Sequence, residues 1–381
     1  MRIGRFRAFV VAVLALIPVG ALAQSARPGT LISAEPMANA PANADGWLIR
    51  YASTSDTGQP IEVTGFVLAP KGPPPPGGRK VMAWAHGTWG VDDKCTPSTS
   101  PDVFSNTPWM EAALARGYVI AATDYAGLGT SLPNPYLVGA SVAHDMLDSV
   151  RAARAIRGAG AGNRYVVWGE SQGGHAALFA GEYAKSYAPE LKLVGVAAAA
   201  PPTDLVANLN GGKDPSIRAF MTAFTAYSWS EHFGAPLSTL GNKSTAGIIT
   251  RLARNNCVSL GGKPKIGMVL GVLVLRRDLK NVDLGRLQPW ARIARENSAG
   301  QRPAGGPMLI AQNTTDVIVS PAVTQNYVKK MCRRGERVRY ITFATKGGHP
   351  ASATDSATQT FDWMDARFAG RPAPSDCAKL K

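Results

Sequence analysis

The sequence contains few of the residues that build metal centres, and it lacks long apolar runs beyond its first segment. Its 381 residues include five histidines and four cysteines. These form no CxxC pair and no cysteine–histidine cluster, which argues against a zinc site. After the N-terminal segment the most apolar stretch, Ile266–Leu275, has ten residues, well short of the roughly 18 that a membrane-spanning helix needs. These absences favour a globular protein without a zinc centre and without a membrane-spanning helix after the N-terminal segment.

Acidic residues are also scarce, at 26 against 41 basic ones, which gives a net charge of +15 at pH 7. The basic residues are scattered, with only short pairs such as Arg276-Arg277 and Arg333-Arg334. No basic stripe interleaved with aromatic residues is present, and such a stripe is the usual pattern of a nucleic-acid-binding surface. We therefore do not expect nucleic acid as a partner.

The first 23 residues are typical of a secretory signal peptide. Three arginines fall within the first seven residues, and the apolar run Ala8–Ile17 follows them. The small residues of Ala21-Leu22-Ala23 match the pattern that a signal peptidase cleaves, so we expect cleavage after Ala23. The alternative is an uncleaved anchor. Cleavage would make the mature protein secreted or periplasmic.

Export changes the interpretation of the four cysteines, Cys95, Cys257, Cys332 and Cys377. An even number of cysteines in an oxidising compartment predicts two disulfides. Four cysteines allow three pairings, and the residues alone do not choose among them.

From about residue 60 onward, strand and helix patterns alternate. Strands are expected at 61–68, 81–85, 118–122, 164–168, 193–200, 308–311 and 338–343, and helices at 109–116, 138–157, 173–187, 321–333 and 351–368. This alternation predicts an α/β fold with a mostly parallel sheet and helices on both faces. The pattern breaks between 205 and 303, which predicts an insertion that divides the core into 24–204 and 304–381. Residues 24–46 are rich in Ala, Pro and Asn and are expected to form an extension.

Residues Gly169–Gly173 read GESQG and match the pattern G-x-S-x-G. A glycine two residues to either side of the serine permits a very sharp turn from a strand into a helix, where larger side chains would collide. Such a turn presents the hydroxyl at a helix N-terminus, whose partial positive charge favours developing negative charge. Ser171 is the predicted nucleophile, and an ordinary glycine-rich turn is the alternative.

A serine hydroxyl needs a neighbouring imidazole to accept its proton. Where this turn occurs, the base follows the nucleophile along the chain, which excludes His86 and His144. His175 lies one turn into the nucleophile helix and is expected to pack beneath the turn, and His232 lies in the irregular insertion. His349, in the loop before the last helix, is therefore the predicted base.

The base needs an acid that orients its ring. Asp316 follows the predicted strand 308–311 and lies 33 residues before His349. Asp204, which follows the preceding strand, is the alternative. We favour Asp316.

An acyl-transfer intermediate also needs two N–H groups for its oxyanion. One is expected from Gln172, the residue after the nucleophile, and the other from the glycine-containing loop His86–Gly90. Thr88 is the candidate in this loop, with Trp89 and Gly90 as alternatives.

These segments together resemble the secretory lipase family, exported α/β-hydrolases of bacteria and fungi. The resemblance extends from about Ala83 to His349 and rests on HGTWG at 86–90, CTPS at 95–98, DYAGLG at 124–129, GESQGGH at 169–175, Asp316 and His349. It implies hydrolysis of carboxylic esters, often of lipids, by Ser171, Asp316 and His349 without a cofactor. It also implies a helical lid at 205–303 and disulfides that join Cys95 to Cys257 and Cys332 to Cys377. A peptidase or amidase with the same triad is the alternative, and a binding protein on an inactive scaffold is a third reading.

Three further features carry open expectations. Tyr125, at the end of a strand, is expected either to line the acyl pocket or to form part of a structural turn. Glu170, beside the nucleophile, is expected to be solvated or hydrogen-bonded, and an effect on the electric field at the nucleophile is the alternative. The aromatic residues of the insertion, Phe220, Phe224, Tyr227, Trp229 and Phe233, are expected to pack in a core. If exposed, they would instead form a transient interface with lipid.

Overall fold

The computed structural model describes residues 26–107, 109–211, 214–258 and 264–380. The predicted signal peptide, 1–23, and its cleavage site lie outside these residues.

Within the described residues, nine strands form one sheet in the order β1-β2-β3-β5-β4-β6-β7-β8-β9. The strands are β1 (Leu31–Pro36), β2 (Ala44–Thr54), β3 (Pro60–Pro70), β4 (Arg79–Ala85), β5 (Tyr118–Thr123), β6 (Ala161–Glu170), β7 (Lys192–Ala199), β8 (Met308–Asn313) and β9 (Val338–Phe343). The pairs among β1, β2, β3 and β5 are antiparallel, and those from β5 through β4 to β9 are parallel. The central parallel strands are runs of buried apolar residues, as expected where helices cover both faces.

Ten α-helices lie within the same described residues. They are α1 (Met110–Ala115), α2 (Gly139–Ala155), α3 (Gln172–Tyr187), α4 (Leu205–Gly211), α5 (Pro215–Phe233), α6 (Lys243–Asn255), α7 (Ile266–Asp278), α8 (Trp290–Glu296), α9 (Pro321–Arg333) and α10 (Ala351–Phe368). Helices α2, α3 and α9 pack on one face of the sheet, and α1 and α10 pack on the other. The predicted α/β-hydrolase architecture is confirmed.

The N-terminal extension expected at 24–46 is wrong in part. Strand β1 and the start of β2 lie there and pair with each other, and β2 pairs along its whole length with β3. Strand β1 lies at the edge of the sheet and none of its residues is fully buried, so its sequence shows no clear strand pattern.

Helices α4–α8 lie between β7 and β8 and bury an apolar cluster of their own. Phe220, Phe224 and Trp229 are buried in it, Tyr227 is partly buried and Phe233 is exposed, so the aromatic residues serve mainly as core.

Helix α7 exposes apolar side chains along one face. No helix of the described residues is long and apolar enough to cross a bilayer.

Within the described residues, one disulfide joins Cys95 to Cys257 and a second joins Cys332 to Cys377. This pairing confirms the one implied by the resemblance. The first disulfide links the segment after the β4 loop to the chain that follows α6. The second links the end of α9 to the C-terminal tail.

Candidate active site

Ser171 lies between the end of β6 and the start of α3, in a strained backbone conformation with φ 55° and ψ −121°. Positive φ is uncommon for a residue with a side chain, so the surrounding structure must impose it. A Cβ on Gly169 would lie 2.1 Å from the Gly173 carbonyl oxygen, and one on Gly173 would lie 1.9 Å from the Ala85 carbonyl oxygen. Both glycines are therefore required by the close approach of neighbouring backbone.

Asp316 and His349 are in direct contact, although 33 residues separate them in the chain. Nδ1 of His349 lies 2.7 Å from Oδ2 of Asp316. The Asp316 side chain is fully buried, and its Oδ1 accepts hydrogen bonds from the backbone N–H groups of Ile318 and Val319 at 2.8 and 2.9 Å. Oδ2 also accepts one from the Gln312 side chain at 3.0 Å. These contacts fix the carboxylate in the orientation that holds the imidazole.

The pairing determines which nitrogen of His349 carries the proton. An ionised carboxylate only accepts hydrogen bonds, so Nδ1 donates to Asp316 and the lone pair of the neutral ring lies on Nε2. Burial lowers the pKa of His349, but the hydrogen bond and charge of Asp316 and the charge of Glu170 outweigh it, and the pKa is raised above 6.5. Nε2 is therefore available as a base only above this raised pKa, where the ring is neutral.

Ser171 and His349 line the same cavity, of about 150 Å³. Its wall also includes Thr88 and Trp89 from the loop after β4, and Met221 and Val258 from the inserted region. Asp204 lies elsewhere. It is exposed, and its side chain accepts a hydrogen bond from the backbone of Ala207 at the start of α4.

The loop after β4 is held from several sides. The Thr88 hydroxyl shares a 2.7 Å hydrogen bond with the Tyr136 hydroxyl, and the Trp89 carbonyl accepts one from Val258 N–H at 2.7 Å. Gln172 is the first residue of α3, so its N–H is one of the amides that have no partner within a helix. Thr88 faces the cavity, and the backbone of Gln172 follows the nucleophile directly.

Tyr125 supports this loop and does not line the cavity. Its side chain is fully buried, its hydroxyl donates to the His86 carbonyl at 3.0 Å, and its ring centroid lies 4.3 Å from that of His86. Burial lowers the pKa of His86 to about 4, so the ring is neutral at physiological pH. Of the two expectations for Tyr125, the structure favours the structural one.

His175 is buried within α3, and its Nε2 lies 2.8 Å from the Asn297 carbonyl oxygen. Burial lowers its pKa to about 4. It therefore packs beneath the turn, as the sequence predicts.

Tyr136, Met221 and Val258 are site residues that the sequence analysis did not identify. Tyr136 connects Thr88 to the insertion, because its backbone accepts from the indole of Trp229 and donates to the hydroxyl of Ser228, both on α5. These contacts span about 90 residues of chain, and no local pattern could have indicated them.

The sequence model of a family described as secretory lipase matches residues 99–221. A probable inactive lipase of Mycobacterium tuberculosis is 24% identical, over 92% of this chain and 80% of that protein. Lipase 10 of Candida albicans is also 24% identical, over 93% and 80%. The crystal structure of Candida antarctica lipase A superposes with a TM-score of 0.72 at 19% identity and covers 92% of this chain and 84% of that one. In sequence and in fold the chain is thus similar to the secretory lipases, and this similarity supports the hydrolysis of carboxylic esters.

Proposed function

We propose that the protein is an exported serine hydrolase that cleaves carboxylic esters through an acyl-enzyme intermediate, with Ser171, His349 and Asp316 as its catalytic triad. The observation that carries the proposal is one cavity that receives both the strained Ser171 and the His349 ring held by Asp316.

In the first half-reaction, Oγ of Ser171 attacks the ester carbonyl carbon and Nε2 of His349 accepts the hydroxyl proton. The negative charge moves to the carbonyl oxygen, where the N–H groups of Thr88 and Gln172 would stabilise it. The carbon–oxygen bond to the alcohol then breaks, and His349 gives its proton to the leaving oxygen. Asp316 keeps its charge throughout and stabilises the imidazolium.

In the second half-reaction, a water molecule replaces the alcohol. His349 accepts a proton from the water as its oxygen attacks the acyl carbon. The second tetrahedral intermediate collapses, the proton returns to Ser171, and the carboxylic acid leaves. The bonds and protons balance without any further reactant.

The region 205–303 would act as the lid that selects substrates. Met221 on α5 and Val258 after α6 supply apolar wall to the cavity, so the chain between β7 and β8 shapes the space beside the nucleophile. An ester or lipid substrate suits such a wall, because an acyl chain gains free energy when apolar surface leaves water.

Export is the natural setting for this enzyme. The predicted signal peptide at 1–23 would direct the chain out of the cytoplasm, and the two disulfides are stable in an oxidising compartment.

The proposal is tested with p-nitrophenyl esters of increasing acyl length, from about two to sixteen carbons, and with amino-acid p-nitroanilides. We expect the wild type to hydrolyse the esters. In Ser171→Ala, kcat for this hydrolysis should fall by about 10⁴-fold or more. Anilide hydrolysis that exceeds ester hydrolysis would identify an amidase. Equal rates for wild type and Ser171→Ala would show that Ser171 is not the nucleophile.

A further inference from the structure

A second carboxyl group lies beside the nucleophile, and the mechanism above does not use it. Glu170 is the last residue of β6, directly before Ser171, and it lines the same cavity. Among the described residues that line this cavity, it is the one carboxylic acid, and the other ionisable ones are His86 and His349.

The position of Glu170 in β6 fixes the direction of its side chain. Side chains alternate along a strand, so Glu170 leaves the sheet on the same face as Trp168. Trp168 packs against Phe361 of α10, with ring centroids 5.2 Å apart. The loop that precedes α10 carries His349, and Glu170 is therefore directed to the face of the sheet on which the base lies.

The electrostatics agree with this placement. Burial raises the pKa of Glu170 to about 7, while the charge of His349 lowers it and that of Asp316 raises it further. The charge of Glu170 in turn raises the pKa of His349. The carboxyl is thus within electrostatic range of both triad partners, and His86 is neutral over the same pH range because of its lowered pKa.

We propose that Glu170 is a charge-selecting residue of this cavity, which favours esters with a cationic group near the scissile bond over neutral esters of the same shape. The inference rests on the proposed function and deepens it. When Glu170 is ionised, its negative charge in a largely apolar cavity attracts a cation and repels an anion more strongly than it would in water.

The test compares two thioesters that differ only in charge, butyrylthiocholine and its neutral isostere 3,3-dimethylbutyl thiobutyrate. Their kcat/KM values are measured by thiol release in wild type and Glu170→Gln. We expect the cationic-to-neutral ratio at about pH 8 to fall about tenfold in the variant. Since both substrates require the same neutral His349, its titration cancels from the ratio.

The pH dependence of the ratio separates charge from shape. In wild type the ratio should rise as pH increases through about 7, where the carboxyl loses its proton, and in Glu170→Gln it should stay flat. Glu170→Asp keeps the charge and should keep most of the preference, even if the Gln variant folds poorly. Glu111→Gln, which removes an exposed carboxylate on α1, is the matched control and should retain the full ratio.

The same ratio in wild type and Glu170→Gln, or a wild-type ratio that does not change with pH, would overturn this inference while ester hydrolysis itself stands. A folded wild type that hydrolyses neither thioester, nor any p-nitrophenyl ester, would overturn the proposed function and this inference together.

Discussion

The protonation state of His349 controls the chemistry proposed for the site. The ring must be neutral to accept the Ser171 proton, and its pKa lies above 6.5 because Asp316 and Glu170 favour the charged form more than burial opposes it. The catalytic rate should therefore depend on pH in the range where this ring titrates.

We predict that kcat/KM for a neutral ester increases with pH through a midpoint above about 6.5. Asp316→Asn should move this midpoint to lower pH and reduce kcat, because the amide neither holds the Nδ1 proton nor stabilises the imidazolium. Initial rates between about pH 4 and 9 would show both effects. A wild-type rate that stays constant down to about pH 4 would exclude a histidine base.

The Thr88–Tyr136 hydrogen bond fixes the loop that would bind the oxyanion. Tyr136→Phe should reduce kcat by about tenfold and change KM little, because the loop loses a positioning contact and the ring still packs against Phe224. Tyr183→Phe, far from this loop on α3, is the control. Unchanged kcat in Tyr136→Phe would show that the hydroxyl does not position Thr88.

At the scale of elements, helix α2 is joined to strand β2 through two buried carboxyl groups. The Ser53 hydroxyl lies 3.0 Å from Oδ1 of Asp145 and 2.9 Å from Oδ2 of Asp148. One hydroxyl proton can serve only one of these oxygens, so the other carboxyl must be protonated to complete the network. Burial raises the pKa of Asp145 to about 7 and that of Asp148 to about 6.

This network predicts how stability changes with pH. Because the pKa of Asp145 in the folded state exceeds its unfolded value of about 3.9, its contribution is fully present below about pH 4 and is lost as pH rises through about 7. Asp145→Asn keeps the shape of the side chain without its charge. The free energy of unfolding of this variant should therefore decline less over this pH range than that of the wild type, and the difference should be a few kcal/mol at most. Urea unfolding at several pH values measures this, with exposed Glu35→Gln as the control. Parallel pH curves for wild type and Asp145→Asn would contradict the prediction.

The two disulfides offer a matched comparison, because only one of them reaches the site. The Cys95–Cys257 disulfide joins residues that are 162 positions apart in the chain. The N–H of Val258, the residue after Cys257, donates a hydrogen bond to the Trp89 carbonyl. Cys332–Cys377 closes 45 residues far from the cavity. In the chain-entropy model, replacement by serine should reduce stability by about 5 kcal/mol for the first pair and about 4 kcal/mol for the second.

We expect the Cys95→Ser/Cys257→Ser variant also to lose kcat/KM, because the insertion would no longer hold the loop after β4. The Cys332→Ser/Cys377→Ser variant should keep kcat/KM at temperatures where it remains folded. Thermal unfolding and ester hydrolysis measured on both variants would test the difference. An equal loss of activity in the two variants would show that the Cys95–Cys257 bond acts through stability alone.

Across the whole molecule, the parallel half of the sheet could be predicted from sequence because its strands are short buried runs between helices. Strand β1 could not, since it lies at the edge of the sheet and buries none of its side chains fully. Strand β2 could not, since its buried residues do not alternate regularly with exposed ones. The contact between His349 and Asp316 could be predicted, because chain order and strand ends restrict where a base and its acid would lie.

The walls of the site were less accessible to prediction. Met221 and Val258 reach the cavity, and Tyr136 contacts Thr88 in its wall, through packing between the insertion and the core that no spacing rule describes. The position of Glu170 beside Ser171 was visible in the sequence, but its desolvation was not, because burial depends on α10 and the loops around it.

The most direct test of the catalytic triad is labelling of the folded protein with a fluorophosphonate, followed by intact mass and peptide mapping. We predict a single adduct on the tryptic peptide 165–185, whose one serine is Ser171, and much slower labelling in His349→Ala. A folded wild-type protein that forms no adduct, or that carries it on another residue, would contradict the central claim.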